Sequence, residues 1–507
     1  MRLGTPAEMI KIEKRTAREF GISEEVQMET AGALVTAEIE NHVRFKKLSK
    51  TICILCGPGN NGADGLTIAR HLQERGFLHQ KIFLWGKKEK RTALFNLQLA
   101  RALKENLVPV ELTSAASFEK FATKRYGLIV DAIYGTGFKI RAHDLSLQLL
   151  LKQINRSGAE VWSVDIPTGL DALSGFDNGE CIRASQTFTF GLAKPGLFVS
   201  KGPQSAGKVK ILKIGFPQVI CREEATRFFT FGKRNARRAL PVREKQSNKS
   251  QHGHLVIVAG SPGMWGAAQL CSEAAYRMGA GYVSLGVSRE GDFSRFMGAE
   301  IGSEVLVKLK SDLTLFSKAT AVVIGPGAGA NNDLEKVLLR MLEEKIKKVV
   351  VDADALTVLS KMKGIALPKD WILTPHSGEL SRLLGVSSTD IEKDRFYFVQ
   401  KAAEKYGCIV LLKGFRTLIG NSESKVAIVT SGNAALAKAG TGDVLSGFIG
   451  SLLAQGVNTV SAAGAAAYLH GCLADDWIKE GLDQRSLMPR DLLSRIPNLL
   501  RKVTGEK

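Results

Sequence analysis

The sequence predicts two doubly wound α/β domains, each with a parallel sheet covered by helices on both faces. The chain has 507 residues, which is enough for two large domains. Short apolar runs alternate with helix-like segments, as is typical of parallel sheets. This alternation fades near Pro217 and restarts near Leu255. A composition of 44% hydrophobic and 24% charged residues excludes broadly disordered and fibrous proteins.

The first half opens with a helical stretch, Pro6–Leu48, before the alternation begins. Short apolar runs predict buried strands at Thr51–Leu55, Lys81–Trp85, Leu128–Val130, Val161–Val164 and Phe188–Phe190. Segments between them predict helices at Leu66–Arg75 and Thr92–Glu105. We assign residues 1–217 to this domain. Residues 218–235, which lie in a stretch rich in basic and polar side chains, are expected to form a linker.

The second half repeats the pattern, and we assign residues 236–507 to it. Strands are predicted at Leu255–Ala259, Gly281–Gly286, Ala321–Ile324, Val349–Val351, Trp371–Leu373 and Ile409–Leu412. Helices are predicted at Ala267–Met278, Asp333–Glu344 and Val444–Leu453. Ligand-binding loops are expected at the carboxyl ends of the strands in both domains.

The charge balance is strongly basic, since 70 Lys and Arg against 50 Asp and Glu leave a net charge of +20. Such an excess is found in proteins that bind nucleic acids, anionic membranes or phosphate-bearing ligands. It is also found in proteins with a solvated, lysine-rich surface. The charge alone therefore leaves the partner open.

Seven scattered cysteines do not form a disulfide framework. Cys53 and Cys56 form a C-x-x-C inside an apolar run, where strand alternation points the two thiols to opposite faces. We therefore favour core packing over a redox or metal role. Met1–Glu8 lacks the features of a secretory signal, and no run of about 18 apolar residues predicts a membrane span. A reducing cytoplasm is the expected location.

The first glycine-rich loop, CGPGNNGADGL at Cys56–Leu66, contains a formal G-x-G-x-x-G. This match is weak by itself, and after Trp85 only Glu89, a poor candidate, could serve as the acid that holds a ribose. Side-chain oxygens of Asn60, Asn61 and Asp64 suit a cation or a polar ring. A plain Asn-Gly turn entering a helix is the alternative.

Two further loops place a carboxylate at a strand end. Val130–Arg141 reads VDAIYGTGFKIR and Val164–Gly175 reads VDIPTGLDALSG, so that Asp131 and Asp165 each follow an apolar strand directly. Thr168 adds a further oxygen. These acids are candidate site residues, with a helix cap or a turn-closing role as the alternative.

The second half carries GTGDVLSG at Gly440–Gly447, before an apolar helix. Backbone N–H groups at a helix N-terminus bind anions, and glycines let the backbone approach closely. Asp443 stands where it could accept a proton from a substrate hydroxyl, as the base of a phosphoryl transfer does. An N-capping role is the alternative.

Five further loops at strand ends are expected to converge with this helix. They are Ala259–Gly266, Gly325–Gly329, Asp352–Leu356, Leu373–Glu379 and Leu412–Thr417. His252 and His254 form an H-x-H, which we interpret as a strand-entry turn rather than a metal site because no third ligand follows.

The motifs of the first half, GNNGADG, DAIYGTG and DIPTGLDALSG, resemble the epimerase domain of the bifunctional NAD(P)H-hydrate repair enzymes. The resemblance runs from about Glu29 to Pro217 and implies a Rossmann-like sheet; Ala63 stands where Gly is usual. AGSPGMWGAA, GPGAG, DADAL, TPHSGE and GNAALAKAGTGDVLSG resemble the dehydratase domain of the same family. That resemblance covers residues 236–507 and implies a ribokinase-like fold, with Ser377 where Pro is common.

The resemblance implies specific roles in the epimerase domain. Asn61, Asp131 and Thr168 would hold a potassium ion, and Asp165 would be catalytic at the hydrated nicotinamide ring. The residues implied to bind the hydrate are Asn60, Asn61, Gly62, Ala63, Asp64, Gly135, Thr136, Gly137, Phe138, Lys139, Ile140, Arg141 and Asp165. This domain would interconvert the R and S forms of the hydrates of NADH and NADPH (NADHX and NADPHX).

In the dehydratase domain the resemblance implies a reaction that consumes ADP or ATP together with Mg²⁺. Asp443 would take the proton of the C6 hydroxyl, and phosphate would leave as the ring regains its conjugation. The residues implied to contact the hydrate are Ala268, Gly327, His376 and Asp443. Those implied to contact the nucleotide are Lys413, Gly414, Phe415, Arg416, Thr417 and Gly442.

The expected partners are therefore small molecules, NADHX, NADPHX and an adenine nucleotide, with a homo-oligomer expected and no nucleic-acid or membrane partner. Two other hypotheses stay open from the residues. One is a small-molecule kinase of the ribokinase-like class with an unrelated accessory domain, which would accumulate a phosphorylated product. The other is a nucleic-acid-binding protein, supported by the charge and by Phe228, Phe229 and Phe231 beside Lys233–Arg238.

Overall fold

The computed structural model describes residues 1–46, 51–112, 121, 126–137, 144–177, 179–287, 305–309, 311–312 and 314–505. The chain divides into two compact units. One is Arg2–Phe228, and the other is Phe229–Lys507 together with Met1.

The N-terminal unit is built on a parallel sheet. The short strand β1 (Arg2–Leu3) is not part of this sheet. The strands of the sheet follow the chain as β2 (Ile52–Cys56), β3 (Gln80–Leu84), β4 (Val110–Glu111), β5 (Leu128–Ala132), β6 (Glu160–Val164), β7 (Gln186–Phe190) and β8 (Lys208–Leu212). Their order in the sheet is β4-β3-β2-β5-β6-β7-β8, and neighbouring strands are parallel. From β2 the chain adds β3 and β4 on one side, and it then adds β5 to β8 on the other side of β2. Ligands of such sheets bind at this switch point, beyond the carboxyl ends of the strands.

Helices cover both faces of this sheet. The α-helices described in this unit are Pro6–Phe20, Glu24–Lys46, Asn60–Glu74, Ala93–Lys104, Leu145–Arg156, Gly202–Ser205 and Gln218–Glu224. The predicted opening stretch is thus two helices. The first begins with a capping box between Thr5 and Glu8 and ends at Gly21, whose φ of +69° is readily adopted by glycine.

Strand β2 lies at the centre of the unit, and all its residues are buried. Cys53 and Cys56 pack into different hydrophobic clusters. Burial raises the pKa of both thiols, and both cysteines are free. The prediction that these cysteines serve as core residues is confirmed.

The C-terminal unit has a larger mixed sheet. Its strands are β9 (Phe228–Phe231), β10 (His254–Val258), β11 (Tyr282–Val287), β12 (Leu306–Leu309), β13 (Ala321–Ile324), β14 (Val349–Val351), β15 (Trp371–Leu373), β16 (Ile409–Leu412), β17 (Leu418–Gly420) and β18 (Val426–Val429). The order from β9 is β9-β18-β17-β16-β15-β14-β13-β10-β11-β12. Pairs from β12 to β16 are parallel, and β16, β17 and β18 are antiparallel. The switch point lies between β10 and β13.

The α-helices described in this unit are Lys233–Ala239, Trp265–Arg277, Asn332–Glu343, Asp354–Leu359, Ser377–Leu384, Ser388–Lys393, Arg395–Tyr406, Thr441–Ala454, Thr459–Lys479 and Pro489–Thr504. The helix Thr441–Ala454 is buried almost throughout, because its side chains are apolar or small on every face. The prediction of a doubly wound α/β fold is confirmed in both units. Among the helices that the structure describes, none is long and apolar enough to span a membrane.

Residues 218–235, expected as a linker, are folded. They hold the helix Gln218–Glu224, strand β9 and the start of the helix Lys233–Ala239. Phe228 and Phe231 are buried, at 3% and 8% exposure. These aromatic residues form a strand inside a basic stretch, which is why composition alone suggested a linker. The boundary between the two units falls between Phe228 and Phe229.

Candidate active sites

A cavity of about 510 Å³ lies in the N-terminal unit, beyond the carboxyl ends of β2 and β5. Its walls come from the helices Pro6–Phe20 and Glu24–Lys46 and from the loops after the strands. The predicted site residues that line it are Asn60, Asn61, Asp64, Gly135, Thr136, Gly137 and Asp165. The cavity therefore brings together residues from three of the predicted loops at the switch point of the sheet.

Gly62 and Ala63 belong to the first turn of the helix Asn60–Glu74 and are not among the cavity residues. A Cβ atom on Gly62 would lie 1.8 Å from the carbonyl oxygen of Gly57, so this position packs against the preceding loop. Ala63 is fully buried within helical backbone, where alanine needs no left-handed conformation. Phe138, Lys139, Ile140 and Arg141 lie outside the described residues.

Asp165 is held in the cavity by a buried lysine. Its Oδ1 lies 2.5 Å from Nζ of Lys194, whose side chain is 2% exposed, and Lys194 also donates to Oγ1 of Thr189 at 3.0 Å. Its Oδ2 accepts hydrogen bonds from the N–H of Thr136 at 2.8 Å and from the Thr136 hydroxyl. Asp165 has a φ of +67°, a strained conformation for a non-glycine residue that is typical of functional sites.

The carboxyl groups around the cavity differ in their protonation. Burial alone would raise the pKa of Asp165, but Lys194 and Thr136 outweigh it and lower that pKa. Burial, reinforced by Asp165 and Glu13, raises the pKa of Asp64 well above its ordinary range. Burial and the charge of Asp165 raise the pKa of Glu13 from 4.5 to about 7. Near neutral pH, Asp165 therefore favours its ionised form beside Glu13 and Asp64, whose raised pKa values favour the protonated form, an arrangement suited to acid–base catalysis.

Asp131 and Thr168 form a second, buried group in the same loops. The Thr168 hydroxyl donates to Oδ1 of Asp131 at 2.6 Å, and the Thr168 N–H donates to Oδ2 at 2.9 Å. The Ser163 hydroxyl adds a bond to Oδ2 at 2.8 Å. Asp131 is fully buried, and this burial raises its pKa against the opposing effect of these hydrogen bonds.

Asn61, the third residue implied to hold potassium, is 8% exposed. Neither its amide oxygen nor its amide nitrogen has a hydrogen-bond partner within the part of the chain that the structure describes. A Cβ atom on Gly135 would lie 3.2 Å from the Asn61 side chain and 2.8 Å from Oδ2 of Asp165. A buried amide oxygen without a hydrogen-bond partner in the described residues is a candidate ligand for a cation or a polar group.

Sequence reasoning missed Glu13 and Lys194. Lys194 stands in GLAKPGLF after β7, where a lysine between small and apolar residues is a signal of a buried cation. Glu13 belongs to an amphipathic helix whose sequence does not distinguish it from neighbouring surface acids. It reaches the cavity only because this helix packs over the switch point.

In the C-terminal unit, the GTGD loop forms the start of the helix Thr441–Ala454. Gly440 is the N-cap with a φ of +89°, and Asp443 lies in the first turn. Burial and the nearby Asp352 raise the pKa of Asp443 from 3.8 to about 7, while Lys413 opposes the shift. This carboxyl group can therefore accept and release a proton near neutral pH, as a general base must.

Lys413 connects the GTGD loop to two buried acids. Its Nζ lies 2.7 Å from Oδ1 of Asp352 and 3.5 Å from Oε2 of Glu379. Burial would lower the pKa of Lys413, but these two carboxylates raise it. A Cβ atom on Gly442 would lie 3.7 Å from Nζ, so the ammonium group lies beside the loop. The predicted nucleotide-binding residues Lys413 and Gly442 are thus neighbours.

The remaining loops of this site are joined to one another by hydrogen bonds from backbone N–H groups. Gly260, after β10, donates to the carbonyl oxygen of Pro326 at 2.9 Å. Gly329, after β13, donates to Oδ2 of Asp354 at 2.9 Å. Gly327 has a φ of +57°, and a Cβ atom there would lie 2.8 Å from the carbonyl oxygen of Met264. Ala268 is fully buried in the helix that follows.

His376 is the N-cap of the helix Ser377–Leu384, and its side chain is 56% exposed. Its Nδ1 accepts the N–H of Gly378 at 3.0 Å, which leaves Nε2 to carry the ring proton in the neutral form. The carboxylate of Glu379 accepts the N–H of His376 at 2.8 Å and also contacts Lys413. Through Glu379, His376 is connected to the cluster around Asp443.

The loop Lys413–Thr417 follows β16. Gly414 and Arg416 have φ angles of +145° and +59°, and Phe415 is 43% exposed. The Thr417 hydroxyl donates to the carbonyl oxygen of Gly414 at 3.3 Å. The loop thus presents an exposed aromatic ring and a turned backbone beside the GTGD helix.

Two other features of this unit contain none of the predicted site residues. A second cavity of about 490 Å³ lies at the opposite end of the helix Thr441–Ala454, near Arg238 and Gly456.

The two histidines of the H-x-H motif contact serine side chains. His252 contacts Ser247, and His254 is the first residue of β10 and contacts Ser284. The described residues contain no cluster of three or more His, Cys, Asp or Glu side chains that could hold a metal ion.

Comparison with known families places both units. Residues 255–498 match the profile of the NAD(P)H-hydrate dehydratase family, and residues 24–196 match that of the YjeF-related protein N-terminus. The bifunctional NAD(P)H-hydrate repair enzyme Nnr of Moorella thermoacetica is 36% identical, over 100% of this chain and 98% of its own length. The enzyme of the same name from Coxiella burnetii is 33% identical, over 95% of this chain and 96% of its own.

The C-terminal unit is also similar to a solved structure. The ADP/ATP-dependent NAD(P)H-hydrate dehydratase of Bacillus subtilis, co-crystallised with ATP and Mg²⁺, superposes with a TM-score of 0.50 and 29% identity. It covers 54% of this chain and 98% of its own. Because single relatives align along the whole sequence, the alternative of a kinase with an unrelated accessory domain is not supported. The chain belongs to the family of bifunctional NAD(P)H-hydrate repair enzymes, as the motifs of both halves predicted.

Proposed function

We propose that the N-terminal unit interconverts the R and S forms of NADHX and NADPHX, and that the C-terminal unit dehydrates the S form with ADP or ATP. The observation that supports this most directly is the presence of two acid–base sites, one per unit. Each combines a lysine, Lys194 or Lys413, with carboxyl groups of which at least one has a raised pKa. The acidic groups are Asp165 with Glu13 and Asp64 in the first site and Asp443 with Asp352 in the second.

We propose that epimerisation at C6 of the hydrated ring proceeds by breaking the C6–oxygen bond and forming it again on the other face. In our proposal, the protonated carboxyl of Glu13 donates a proton to the hydroxyl, which leaves as water while the ring nitrogen supplies the electron pair. Water then adds to the opposite face, and Asp165 removes a proton from it. Lys194 and Thr136 keep Asp165 ionised for this step. A return of that proton to Glu13 closes the cycle.

The residues present fit a potassium ion beside this centre. Asp131 would supply the charge, and Asn61 and Thr168 the neutral oxygens. A bound potassium ion would neutralise the Asp131 carboxylate and hold the loops that carry Asp165 and Gly135. The chain's own contribution is the hydrogen-bonded frame that already fixes Asp131 to Thr168.

In the C-terminal unit, Asp443 would take the proton of the C6 hydroxyl as its oxygen attacks the terminal phosphorus of ADP or ATP. The bond from that phosphorus to the bridging oxygen breaks, and AMP or ADP leaves. The C6–oxygen bond then breaks and releases phosphate while the ring nitrogen supplies the electron pair, and loss of a ring proton restores the dihydronicotinamide. The amides of the GTGD loop would stabilise the phosphoryl charge, an effect of about 3 kcal/mol per donor in comparable sites. Mg²⁺ bound with the nucleotide would neutralise phosphate charge; with no three-carboxylate cluster in the described residues, waters and phosphates would supply most of its ligands.

The hydrate contacts that we propose are Ala268, Gly327, His376 and Asp443. The loop Lys413–Thr417 with Gly442 would bind the nucleotide. NADHX and NADPHX remain the proposed substrates. The cytoplasmic location, the homo-oligomeric assembly and the absence of nucleic-acid and membrane partners stay predictions.

The test is incubation of the full chain with a mixture of R and S hydrate while the absorbance of dihydronicotinamide is followed. With ADP or ATP and Mg²⁺, we expect both forms to be converted completely, with one phosphate released per ring restored. Conversion that stops at the S fraction would contradict the epimerase assignment. A stable phosphorylated product would contradict the dehydratase assignment.

A further inference from the structure

A buried arginine lies beneath the loop Lys413–Thr417, and neither the motifs nor the proposed chemistry uses it. Arg395 begins the helix Arg395–Tyr406 and is 6% exposed. Its guanidinium donates to loop carbonyl oxygens, at 2.6 Å to Phe415 and at 3.4 Å to Arg416 from Nη1. From Nη2 it reaches those of Leu412 and Lys413, both at 3.4 Å.

The nearest carboxylate lies too far from the guanidinium to form a hydrogen bond with it. Oε2 of Glu392 lies 3.9 Å from Nε of Arg395, and Nε has no hydrogen-bond partner within the described residues. The buried charge is therefore stabilised mainly by the carbonyl dipoles of the loop. An arginine suits this task because its planar fork presents several donors in fixed directions.

These contacts determine which way the loop's amides point. In a trans peptide the carbonyl and the following N–H point in opposite directions, and the described chain has no cis peptide. With the carbonyls of Lys413, Phe415 and Arg416 turned toward the guanidinium, the following N–H groups are turned away from it. The face of the loop opposite Arg395 therefore carries the amide donors that an anionic nucleotide could use.

The loop also adopts backbone conformations that need support. Arg416 has a φ of +59°, a left-handed conformation that is strained for a non-glycine residue. Gly414 has a φ of +145°, and a Cβ atom there would lie 2.8 Å from Nη2 of Arg395. The loop backbone thus packs tightly against the guanidinium, so the conformation of the loop and the position of the Arg395 side chain depend on each other.

We propose that Arg395 is a positioning residue that sets the backbone of the loop Lys413–Thr417 for the adenine nucleotide. The inference rests on the proposed function of this loop. It predicts that loss of the guanidinium weakens nucleotide binding selectively, because the other loops of the site do not depend on Arg395.

The test is the Arg395→Lys variant of the full chain, which keeps the charge and loses the fork. We expect the KM for ADP or ATP to rise about tenfold or more, the size expected when hydrogen bonds from a charged group are lost. The KM for the S hydrate and the epimerase activity should stay within about twofold of the unchanged chain. Calorimetric titration with ADP alone should show the same loss of affinity, which tests the inference even without turnover.

Arg340→Lys is the matched control. Arg340 also donates to a loop carbonyl, that of Asp312 at 3.0 Å, and pairs with Glu344 at 2.6 Å. The Arg340→Lys variant should lower the melting temperature of the unit without changing the KM for the nucleotide. Gly414→Ala disturbs the same contact from the loop side and should reproduce the nucleotide-specific effect.

Three results separate the possibilities. An unchanged nucleotide KM and ADP affinity in Arg395→Lys, whatever its melting temperature, would overturn the inference. If that variant does not fold, an unchanged ADP affinity in Gly414→Ala overturns it, and a selective loss supports it. An unmodified chain that binds ADP but dehydrates no hydrate would contradict the proposed function, while the binding data would still decide the role of Arg395.

Discussion

Replacing Asp443 by Asn should remove turnover in the C-terminal unit and at the same time make that unit more stable at neutral pH. The carboxylate has been proposed as the base for the C6 hydroxyl, whereas the amides of the GTGD loop are backbone groups. The substitution keeps the shape of the side chain, and Asn is also a good residue near a helix start. The protein should therefore fold and bind ADP or ATP with similar affinity.

The size of the catalytic effect follows from the role of one acid–base group. Loss of a single general base lowers the rate by about 10²–10⁴-fold, which corresponds to roughly 3–5 kcal/mol in the barrier. A helix-capping aspartate would behave differently. Its replacement by Asn would leave the rate nearly unchanged.

The effect on stability follows from the pKa of Asp443, which burial and Asp352 raise from 3.8 to about 7. A raised pKa in the folded state means that the stability contributed by the protonated group is complete below pH 4 and is lost as the pH rises through 7. A shift of about three units corresponds to at most about 4 kcal/mol. Because the side chain retains some contact with solvent, we expect roughly 2 kcal/mol.

The assays are single-turnover dehydration of the S hydrate and thermal unfolding at several pH values. The difference in melting temperature between Asp443→Asn and the unchanged chain should widen from pH 4 to pH 7 and stay constant above it. Epimerase activity in the same preparation is the internal control for folding. A single-turnover rate within about threefold of the unchanged chain would refute the catalytic role. A difference in melting temperature that does not vary with pH would refute the reasoning about the pKa.

Four further outcomes are expected. Asp352→Asn should move the acid limb of the dehydratase kcat profile to lower pH, because the Asp352 charge is one of the causes that raise the pKa of Asp443. Lys194→Met should reduce epimerase activity and move its acid limb to higher pH, because Lys194 lowers the pKa of Asp165; a pH titration of the epimerisation rate checks it. Glu13→Gln should reduce epimerisation by about 10²-fold or more and abolish the decline in rate above pH 7. Asp131→Ala should lose potassium dependence and most epimerase activity, as measured in potassium and sodium buffers, while dehydration of pure S hydrate continues.

The controls lie within the same chain. Lys213→Met changes an exposed lysine of the N-terminal unit and should leave the epimerase pH profile unchanged. Dehydration of pure S hydrate reports whether the Lys194, Glu13 and Asp131 variants remain folded. An Asp131→Ala chain that still epimerises at the normal rate would exclude the cation site, and a Glu13→Gln chain with the normal rate would exclude Glu13 as the acid.

The sequence alone determined the fold class and the parts of each site that are local along the chain. Strand β2 and the loop after it, β5 with Asp131, and the GTGD helix could all be predicted. In each of them an apolar run of strand length ends directly at the polar residues of a loop. The family followed from these motifs because they combine residue types whose spacing is set by one strand, one turn and one helix start. Such features depend on neighbours in the chain, and the sequence displays them directly.

Tertiary structure decided which distant residues complete the sites and how their protons are distributed. Glu13 comes from the first helix, Lys194 from the segment after β7 and Arg395 from a helix beneath the nucleotide loop. Glu13 and Arg395 have no local pattern that separates them from ordinary charged residues, and the apolar neighbours of Lys194 indicate its burial but not its partner. The pKa values of Asp443 and Glu13 likewise depend on burial and on charges contributed by other elements. Strand β9 was hidden for the same reason, since its phenylalanines acquire a strand's role only by pairing with β18, which lies much later in the chain. Burial and long-range charge are properties of the packed molecule, so they become visible only when the chain has folded.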